Sequence, residues 1–323
     1  MRSVQVVRVS DLRPGRREYI QKLYPLLETT ALADDIFVDP HIDAIVIATP
    51  PSTHFSLAKR ALLEGKHVLI EKPLATNSAD GQQIVELASQ LGKSVAVGHL
   101  FLYAPAVTAI RSLVKSQELG RTYYLSSSRC NLGPPNAQTD VLWDLAPHDI
   151  SIALDLMGEP PETIEAQGGW FTSSVIPETA FLTLRFSGGR MAHIHVSWLM
   201  PNKIRRLQLV CSNGVVSYDD MQLSQKVQVF GVGADNRAGA RDDDSIQLGY
   251  GAGNSWFLDL QNYEPLRAEC EDFIRSIGDG TPPYSNGARA LEVVRVLERA
   301  SQILSSSASL SQVPVGDSVW KAT

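Results

Sequence analysis

The sequence predicts an α/β fold in its first third and an α+β fold in the remainder. Short apolar runs alternate with segments of helical periodicity from residue 4 to about residue 98. After about residue 105 the pattern changes, and two β-hairpins follow one another. We therefore expect a doubly wound, parallel, Rossmann-like sheet followed by a large, mostly antiparallel sheet with helices on one side.

Four strands of the first part are predicted from apolar, β-branched runs at residues 4–10, 43–51, 67–70 and 94–98. Apolar residues at helical spacing predict helices at residues 19–27, from residue 52, and at 78–91. The run 43–51 is apolar throughout, which is typical of a strand buried on both faces.

The second part is expected to begin with a helix near 105–117 and to contain a helix after Asp144. Its hairpins pair 180–186 with 191–198, and 207–211 with 215–218 through the primed-turn pair Asn213-Gly214. Residues 231–255 are rich in Gly, Asp and Asn and predict a mobile loop, and a last helix is expected at 287–305. We place a dinucleotide-binding domain at 1–102 and a substrate-binding and oligomerisation domain at 103–323.

Composition excludes several classes of protein. Lysine and arginine total 29 against 35 acidic residues, so no basic surface for a nucleic acid is expected. Cys130, Cys211 and Cys270 are far apart and predict neither a disulfide framework nor a zinc site, which fits a reducing cytoplasm. No run reaches the roughly 18 apolar residues of a membrane span. A cytoplasmic protein is expected, with no nucleic-acid or membrane partner.

The glycine-rich phosphate loop of a dinucleotide fold is not found in the sequence. The first strand ends at Asp11, where the acid at the end of strand two is expected. On this interpretation residues 4–10 are strand two, and the first strand and the first helix of the fold are missing. Strands two and four would then either pair directly or leave open edges. The alternative is that residues 4–10 are strand one of a fold without the loop.

Three residues suggest proton-transfer chemistry. The strand 67–70 runs directly into Glu71-Lys72-Pro73, which fixes a lysine at a strand's carboxyl end. Asp144 and His148 are four apart, so they share a helix face, and Pro147 is expected within the first helical turn. The alternatives are a solvated strand end, a capping aspartate and a surface histidine.

Residues 45–54, 65–74 and 144–149 together resemble the glucose–fructose oxidoreductase / inositol dehydrogenase / rhizopine catabolism (Gfo/Idh/MocA) family. The resemblance extends from residue 4 to about 305. It departs from the family at the absent glycine loop and at Leu102, which replaces a frequent arginine. It implies an NAD-dependent sugar oxidoreductase, with NADP possible as the cofactor.

Cofactor-binding positions implied by the resemblance are Asp11, Thr49, Pro50, His54, Glu71 and Lys72. Asp11 favours NAD, because a carboxylate repels a 2′-phosphate, although Arg13 weakens that preference. Asp11 could instead cap a helix or turn, and His54 could be an ordinary residue of a first helical turn.

The catalytic residues expected are Lys72, His148 and Asp144. His148 takes the proton of a sugar hydroxyl as the hydride departs, and Lys72 hydrogen-bonds the same oxygen. Asp144 positions the imidazole or binds a neighbouring hydroxyl. The expected reaction transfers a hydride between NAD(P) and a sugar hydroxyl or keto carbon, of a nucleotide-linked sugar in polysaccharide biosynthesis. The alternatives are a cyclitol or free-sugar dehydrogenase, and a non-catalytic regulator or binding protein.

Other charged or aromatic residues suggest further contacts. Arg205-Arg206 could meet a substrate diphosphate or end a solvated strand, and Arg129 and Asn131 could contact substrate. No metal site is expected, because His193 and His195 share a strand face without a third ligand. The wet face of the antiparallel sheet, with Trp198 among its residues, predicts a homodimer or homotetramer.

Overall fold

The computed structural model describes residues 4–133, 139–171, 176–231 and 254–308. The chain forms two compact units: Met1–Tyr103 with Tyr263–Val294, and Ala104–Asn262 with Arg295–Thr323. The division after residue 102, as a boundary between a cofactor and a substrate domain, stays a prediction. Most of the loop predicted at 231–255 lies outside the described residues.

Thirteen strands occur in the described residues. They are β1 (Arg8–Ser10), β2 (Glu28–Thr30), β3 (Ala44–Ile47), β4 (His67–Ile70), β5 (Val95–Val97), β6 (Thr122–Leu132), β7 (Thr163–Gly169), β8 (Thr179–Arg185), β9 (Met191–Ser197), β10 (Leu199–Cys211), β11 (Gly214–Asp219), β12 (Val227–Gly231) and β13 (Ser255–Phe257).

Eight α-helices accompany them in the same residues. They are α1 (Pro14–Leu23), α2 (Asp34–Phe37), α3 (His54–Leu63), α4 (Ser78–Leu91), α5 (Pro105–Lys115), α6 (Val141–Met157), α7 (Pro265–Asp279) and α8 (Gly287–Ala308). None of these helices combines the length and apolar character needed to cross a membrane.

The first unit contains two parallel sheets, β1-β2 and β3-β4-β5. The predicted parallel α/β architecture is thereby confirmed. β1 pairs only with β2, and β3 pairs only with β4, among the described strands. The other edge of each strand is therefore open. Arg8 and Lys66 link the sheets through Asp39: Arg8 Nη1 lies 3.1 Å from Asp39 Oδ2, and Lys66 Nζ lies 2.6 Å from the Asp39 carbonyl.

Strand β2 was missed by the sequence analysis. Residues 28–30 are Glu-Thr-Thr and carry no apolar run, and the helix expected to continue to residue 27 ends at Leu23. The pairing of Val9 with Thr29 nevertheless fixes β2 as a parallel partner of β1. Backbone pairing therefore forms this strand without an apolar side chain in it.

The expectation that residues 43–51 are buried on both faces is wrong. Ile45 and Ile47 are buried, but Val46 between them is 64% exposed. Successive side chains of a strand point to opposite faces, so one face of β3 is covered and the other is open in the described residues.

The limits of β4 and α4 agree with the sequence analysis. Asn77 caps α4 through its side chain, which accepts a hydrogen bond from the Asp80 amide at 2.8 Å. Gly92 ends the helix with φ of +62°, a conformation that glycine adopts without strain.

The second unit is built on an eight-stranded sheet in the order β13-β12-β11-β10-β6-β9-β8-β7. Only β6 and β9 pair in parallel, so the predicted, mostly antiparallel sheet is confirmed. Helix α6 packs on β6 and β9. On β9, Ala192 and Ile194 are buried while Met191 and His193 are exposed, so the sheet has one wet face.

We had expected Trp198 on the wet face of the sheet, and this expectation is wrong. Trp198 is 4% exposed, because the strand alternation breaks after Val196 and three successive side chains, Val196, Ser197 and Trp198, are buried.

The predicted Asn213-Gly214 turn is also wrong. Cys211 pairs directly with Gly214, so the two-residue turn is Ser212-Asn213, and neither residue has a positive φ. A side chain at Gly214 would place its Cβ 2.6 Å from the Phe230 carbonyl oxygen. The glycine is required by the close approach of β12 and not by turn geometry.

Candidate functional site

The lysine predicted at a strand end lies directly after β4. The Glu71 amide donates to the Ile47 carbonyl at 2.8 Å, which extends the β3–β4 pairing by one residue. The Glu71 carboxylate then accepts the Lys72 main-chain amide at 3.2 Å. The Lys72–Pro73 peptide is cis. A carboxylate therefore holds the main chain of Lys72 where the sheet ends.

Gly98, just beyond β5, allows this arrangement. A Cβ at Gly98 would lie 2.9 Å from Glu71 Oε2 and 3.3 Å from Glu71 Cα. Any larger residue would displace the carboxylate that holds Lys72.

His54 hydrogen-bonds to the segments that follow β3 and β4. Its ring is completely buried, with Nδ1 2.7 Å from the Pro73 carbonyl and Nε2 2.8 Å from the Thr49 carbonyl. The Thr49-Pro50 turn, which is exposed, is thus tied to the segment that follows Lys72. The structure brings together five of the six predicted cofactor residues at the carboxyl ends of β3 and β4.

Asp11, the sixth, lies just after β1. Its Oδ1 accepts the Arg13 amide at 2.8 Å and its Oδ2 accepts Arg13 Nη2 at 3.1 Å. These hydrogen bonds with Arg13 hold the pKa of the Asp11 carboxyl below its usual range. Asp11, Arg13, Arg16 and Arg17 line a cavity of about 240 Å³. An ionised carboxylate surrounded by guanidinium groups borders this cavity.

His99 is a buried neighbour of Lys72 that the sequence analysis missed. Its ring is 1% exposed, and neither ring nitrogen has a hydrogen-bond partner in the described residues. Burial, together with the positive charge of Lys72, lowers the pKa of His99 to about 4. A neutral imidazole therefore lies within electrostatic reach of the lysine.

Asp144 and His148 lie one turn apart on α6, as predicted. The helix begins earlier than expected, because the Asp140 side chain caps it by accepting the Trp143 amide at 2.9 Å. Pro147 consequently falls in the second turn, and its predicted place in the first turn is wrong. A proline there removes one main-chain hydrogen bond of the helix.

Hydrogen bonds and an ion pair within the second unit fix this turn of α6. Trp198 Nε1 donates to Asp144 Oδ2 at 3.2 Å, and Ser151 Oγ donates to the His148 carbonyl at 2.7 Å. Asp149, next to His148, forms a buried ion pair with Arg129 at 2.5 Å. Arg129, which we had considered as a substrate contact, is thus bound within the protein.

Arg205 and Arg206, which we had considered as contacts to a substrate diphosphate, each pair with an aspartate of the second unit. Arg205 Nη1 lies 3.4 Å from Asp220 Oδ2 and Arg206 Nε lies 2.8 Å from Asp219 Oδ2, contacts that fit a solvated strand end. The His195 ring stacks on Phe181 at 4.3 Å between centroids.

Glu269, on α7 of the first unit, was also missed. It is 2% exposed, and its Oε1 has no hydrogen-bond partner in the described residues. Burial, with the negative charges of Glu71 and Asp272, raises its pKa to about 8. Helix α7 had not been predicted from the sequence, so the one available signal, an acid four residues before Phe273 on the apolar face of this helix, was not read.

Family comparison matches both parts of the chain. The oxidoreductase family model with an NAD-binding Rossmann fold matches residues 2–99. The GFO/IDH/MocA C-terminal domain matches residues 107–217.

Known relatives include dehydrogenases of sugars and cyclitols. A UDP-N-acetylglucosamine 3-dehydrogenase of Acidithiobacillus ferrooxidans is 28% identical over 265 residues, covering 81% of this chain and 78% of the relative. A myo-inositol 2-dehydrogenase of Thermotoga maritima is 24% identical over 294 residues, covering 86% and 82%. A solved structure of the Acidithiobacillus ferrooxidans enzyme superposes with a TM-score of 0.80 at 21% identity, covering 94% and 90%, which supports the fold alone.

Proposed function

Because the chain belongs to the Gfo/Idh/MocA oxidoreductase family, we propose that it transfers a hydride between NAD and a hydroxyl or keto carbon of a nucleotide-linked sugar. The observation that carries this proposal is Lys72, held by Glu71 at the carboxyl end of β4 in an NAD-binding domain. The 3-dehydrogenase acting on UDP-N-acetylglucosamine, which this chain matches over 81% of its length, supports a nucleotide-linked substrate.

The described residues fit an NAD site. Ligands bind outside the carboxyl ends of the strands in open parallel sheets, and Thr49, Pro50, Glu71 and Lys72 all follow such ends. The ionised Asp11 borders a cavity and offers acceptors for ribose hydroxyls. His54 has both ring nitrogens engaged, so we assign it to holding these loops and not to touching the cofactor.

Bound NAD supplies the hydride acceptor, and the protein supplies the acid–base chemistry. We propose that His148 and Lys72 act on the same sugar hydroxyl. Since His148 Nδ1 is buried, Nε2 is the nitrogen that takes the hydroxyl proton, and it returns the proton in the reverse reaction. The Lys72 ammonium donates a hydrogen bond to the oxygen and stabilises its developing negative charge. Asp144, bound by Trp198, meets the imidazole or a neighbouring hydroxyl.

A substrate panel tests the function. UDP-N-acetylglucosamine, free N-acetylglucosamine and myo-inositol are incubated with NAD while the nicotinamide absorbance is followed. Turnover that depends on the nucleotide supports the proposal. Turnover of myo-inositol alone favours the cyclitol dehydrogenase that the Thermotoga maritima relative suggests. Tight NAD binding without turnover of any sugar would favour a non-catalytic binding protein.

The preference for NAD over NADP rests on Asp11. Its carboxylate repels a 2′-phosphate, but Arg13 is paired with it, and Arg16 and Arg17 line the same cavity. NADP therefore remains the alternative, and the ratio of the dissociation constants for NADH and NADPH decides between them. Asp11→Ala should shift that ratio toward NADPH.

We also propose a cytoplasmic homodimer or homotetramer. Phe181, Met191 and His193 are exposed on the wet face of the eight-stranded sheet, where a second copy could cover them. The three cysteines are free thiols, which suits a reducing compartment. Sedimentation showing only monomer would contradict the oligomer.

A further inference from the structure

Helix α7 covers β4 and β5 on the face that bears Leu69 and Ala96. Phe273 of α7 is buried in one cluster with these two residues. The helix runs antiparallel to the strands, because Ser94, at the amino end of β5, donates to the Ser276 carbonyl at 3.3 Å. Residues earlier in α7 therefore lie toward the carboxyl ends of the strands.

This geometry brings Glu269 toward Glu71. Glu71 is two residues beyond Leu69 and so lies on the same face, about 6.6 Å further along the strand. Glu269 is four residues before Phe273, one helical turn and about 6 Å in the same direction. Burial and, after it, the negative charge of Glu71 raise the pKa of Glu269, which agrees with a Glu71 carboxylate on the same side of the sheet.

The charge state of Glu269 therefore matters to its neighbour. Glu269 is buried and its Oε1 has no hydrogen-bond partner among the described residues, and burying an unpaired carboxylate is costly. The titratable groups on the elements packed around it are Glu71 and Lys72 after β4, His99 and Tyr103 after β5, and Asp272 on α7 itself.

We propose that Glu269 is a positioning residue for Lys72 and acts through Glu71. In its protonated form Glu269 leaves the Glu71 carboxylate free to hold the Lys72 main-chain amide. In its ionised form it repels Glu71, weakens that hydrogen bond and moves the lysine away from its working position. The consequence for catalysis rests on the proposed function, but the movement itself does not.

The movement is measured by the ¹⁵N–¹H resonance of the Lys72 amide between pH 6 and pH 10. We expect this resonance to titrate with a midpoint near pH 8 in the wild-type protein and to lose that transition in Glu269→Gln, which cannot ionise. The matched control is Glu271→Gln, an exposed acid two residues further along α7 that pairs with Arg267 and should keep the transition. The same transition in Glu269→Gln as in the wild type would overturn the proposal.

A second measurement requires no variant and covers the case in which Glu269→Gln fails to fold. In protein labelled with ¹³C at the glutamate carboxyl groups, one resonance should titrate near pH 8 together with the Lys72 amide. If no carboxyl titrates above pH 6.5, the proposal is wrong.

Kinetics separate this proposal from the proposed function. If turnover occurs, its alkaline decrease near pH 8 should move to higher pH in Glu269→Gln. If the Lys72 amide resonance titrates with Glu269 but the protein has no dehydrogenase activity, the proposed function is rejected and the positioning role is kept. Turnover whose alkaline decrease is unchanged in Glu269→Gln would reject the positioning role and keep the function.

Discussion

Replacing Glu269 by glutamine should change the pH dependence of folding stability. The carboxyl is buried and its pKa is raised from 4.5 to about 8. Between these values the folded protein holds a proton that the unfolded chain has lost. Stability contributed at this position is therefore fully present below about pH 4.5 and decreases as the pH rises toward 8.

The size of the effect follows from the same shift. Each pH unit corresponds to about 1.4 kcal/mol, so roughly 5 kcal/mol is lost across the interval. Glutamine does not titrate and does not suffer this loss. The difference in unfolding free energy between Glu269→Gln and the wild type should therefore grow in favour of the variant by about 1.4 kcal/mol per pH unit between pH 5 and 8.

Urea unfolding followed by far-ultraviolet circular dichroism at pH 5, 6, 7 and 8 measures this difference. Tryptophan fluorescence is unsuitable, because every tryptophan among the described residues belongs to the second unit. Glu271→Gln is the control, since its exposed carboxylate should give a nearly constant difference. A difference for Glu269→Gln that does not change with pH would refute the reasoning.

Two further predictions concern tightly packed sites. Gly98→Ala should lower kcat/KM by roughly 10²-fold, because the new Cβ displaces the Glu71 carboxylate. Gly278→Ala is the control, since nothing lies within 4 Å of its added carbon, and it should leave kcat/KM unchanged. Asp149→Asn should destabilise the second unit by roughly 3–5 kcal/mol, because the buried ion pair between Arg129 and Asp149 loses its carboxylate. Adding Arg129→Met should recover part of this loss in urea melts followed by tryptophan fluorescence.

Much of the fold could be predicted where burial and backbone chemistry agree in the sequence. The strand 67–70 contains the apolar run Val-Leu-Ile and is followed within three residues by Pro73, and helix α4 has both a capping asparagine and a terminal glycine. Strand β2 could not be found in this way, because Glu-Thr-Thr is held by its parallel partner and not by an apolar face. Tertiary pairing overrode local preference there.

The parts of the site that were missed depend on contacts between residues distant in sequence. The burial of Trp198 was missed because the strand alternation breaks after Val196, and its indole donates to Asp144, fifty-four positions away. The Pro147 expectation failed because the cap is Asp140 and not Asp144. Glu269 is nearly two hundred positions from Glu71 and carries no local motif. Only the packing of α7 on the sheet reveals the pair.

The most direct test of the central claim is the turnover of Lys72→Ala and His148→Asn. Lys59→Ala and His41→Asn, at two exposed positions of the first unit, are the matched controls. In the presence of NAD and the substrate identified by the panel, we expect each of the first pair to reduce kcat by roughly 10²–10⁴-fold and each control to stay near the wild-type value. Near-normal turnover in both Lys72→Ala and His148→Asn would contradict the account.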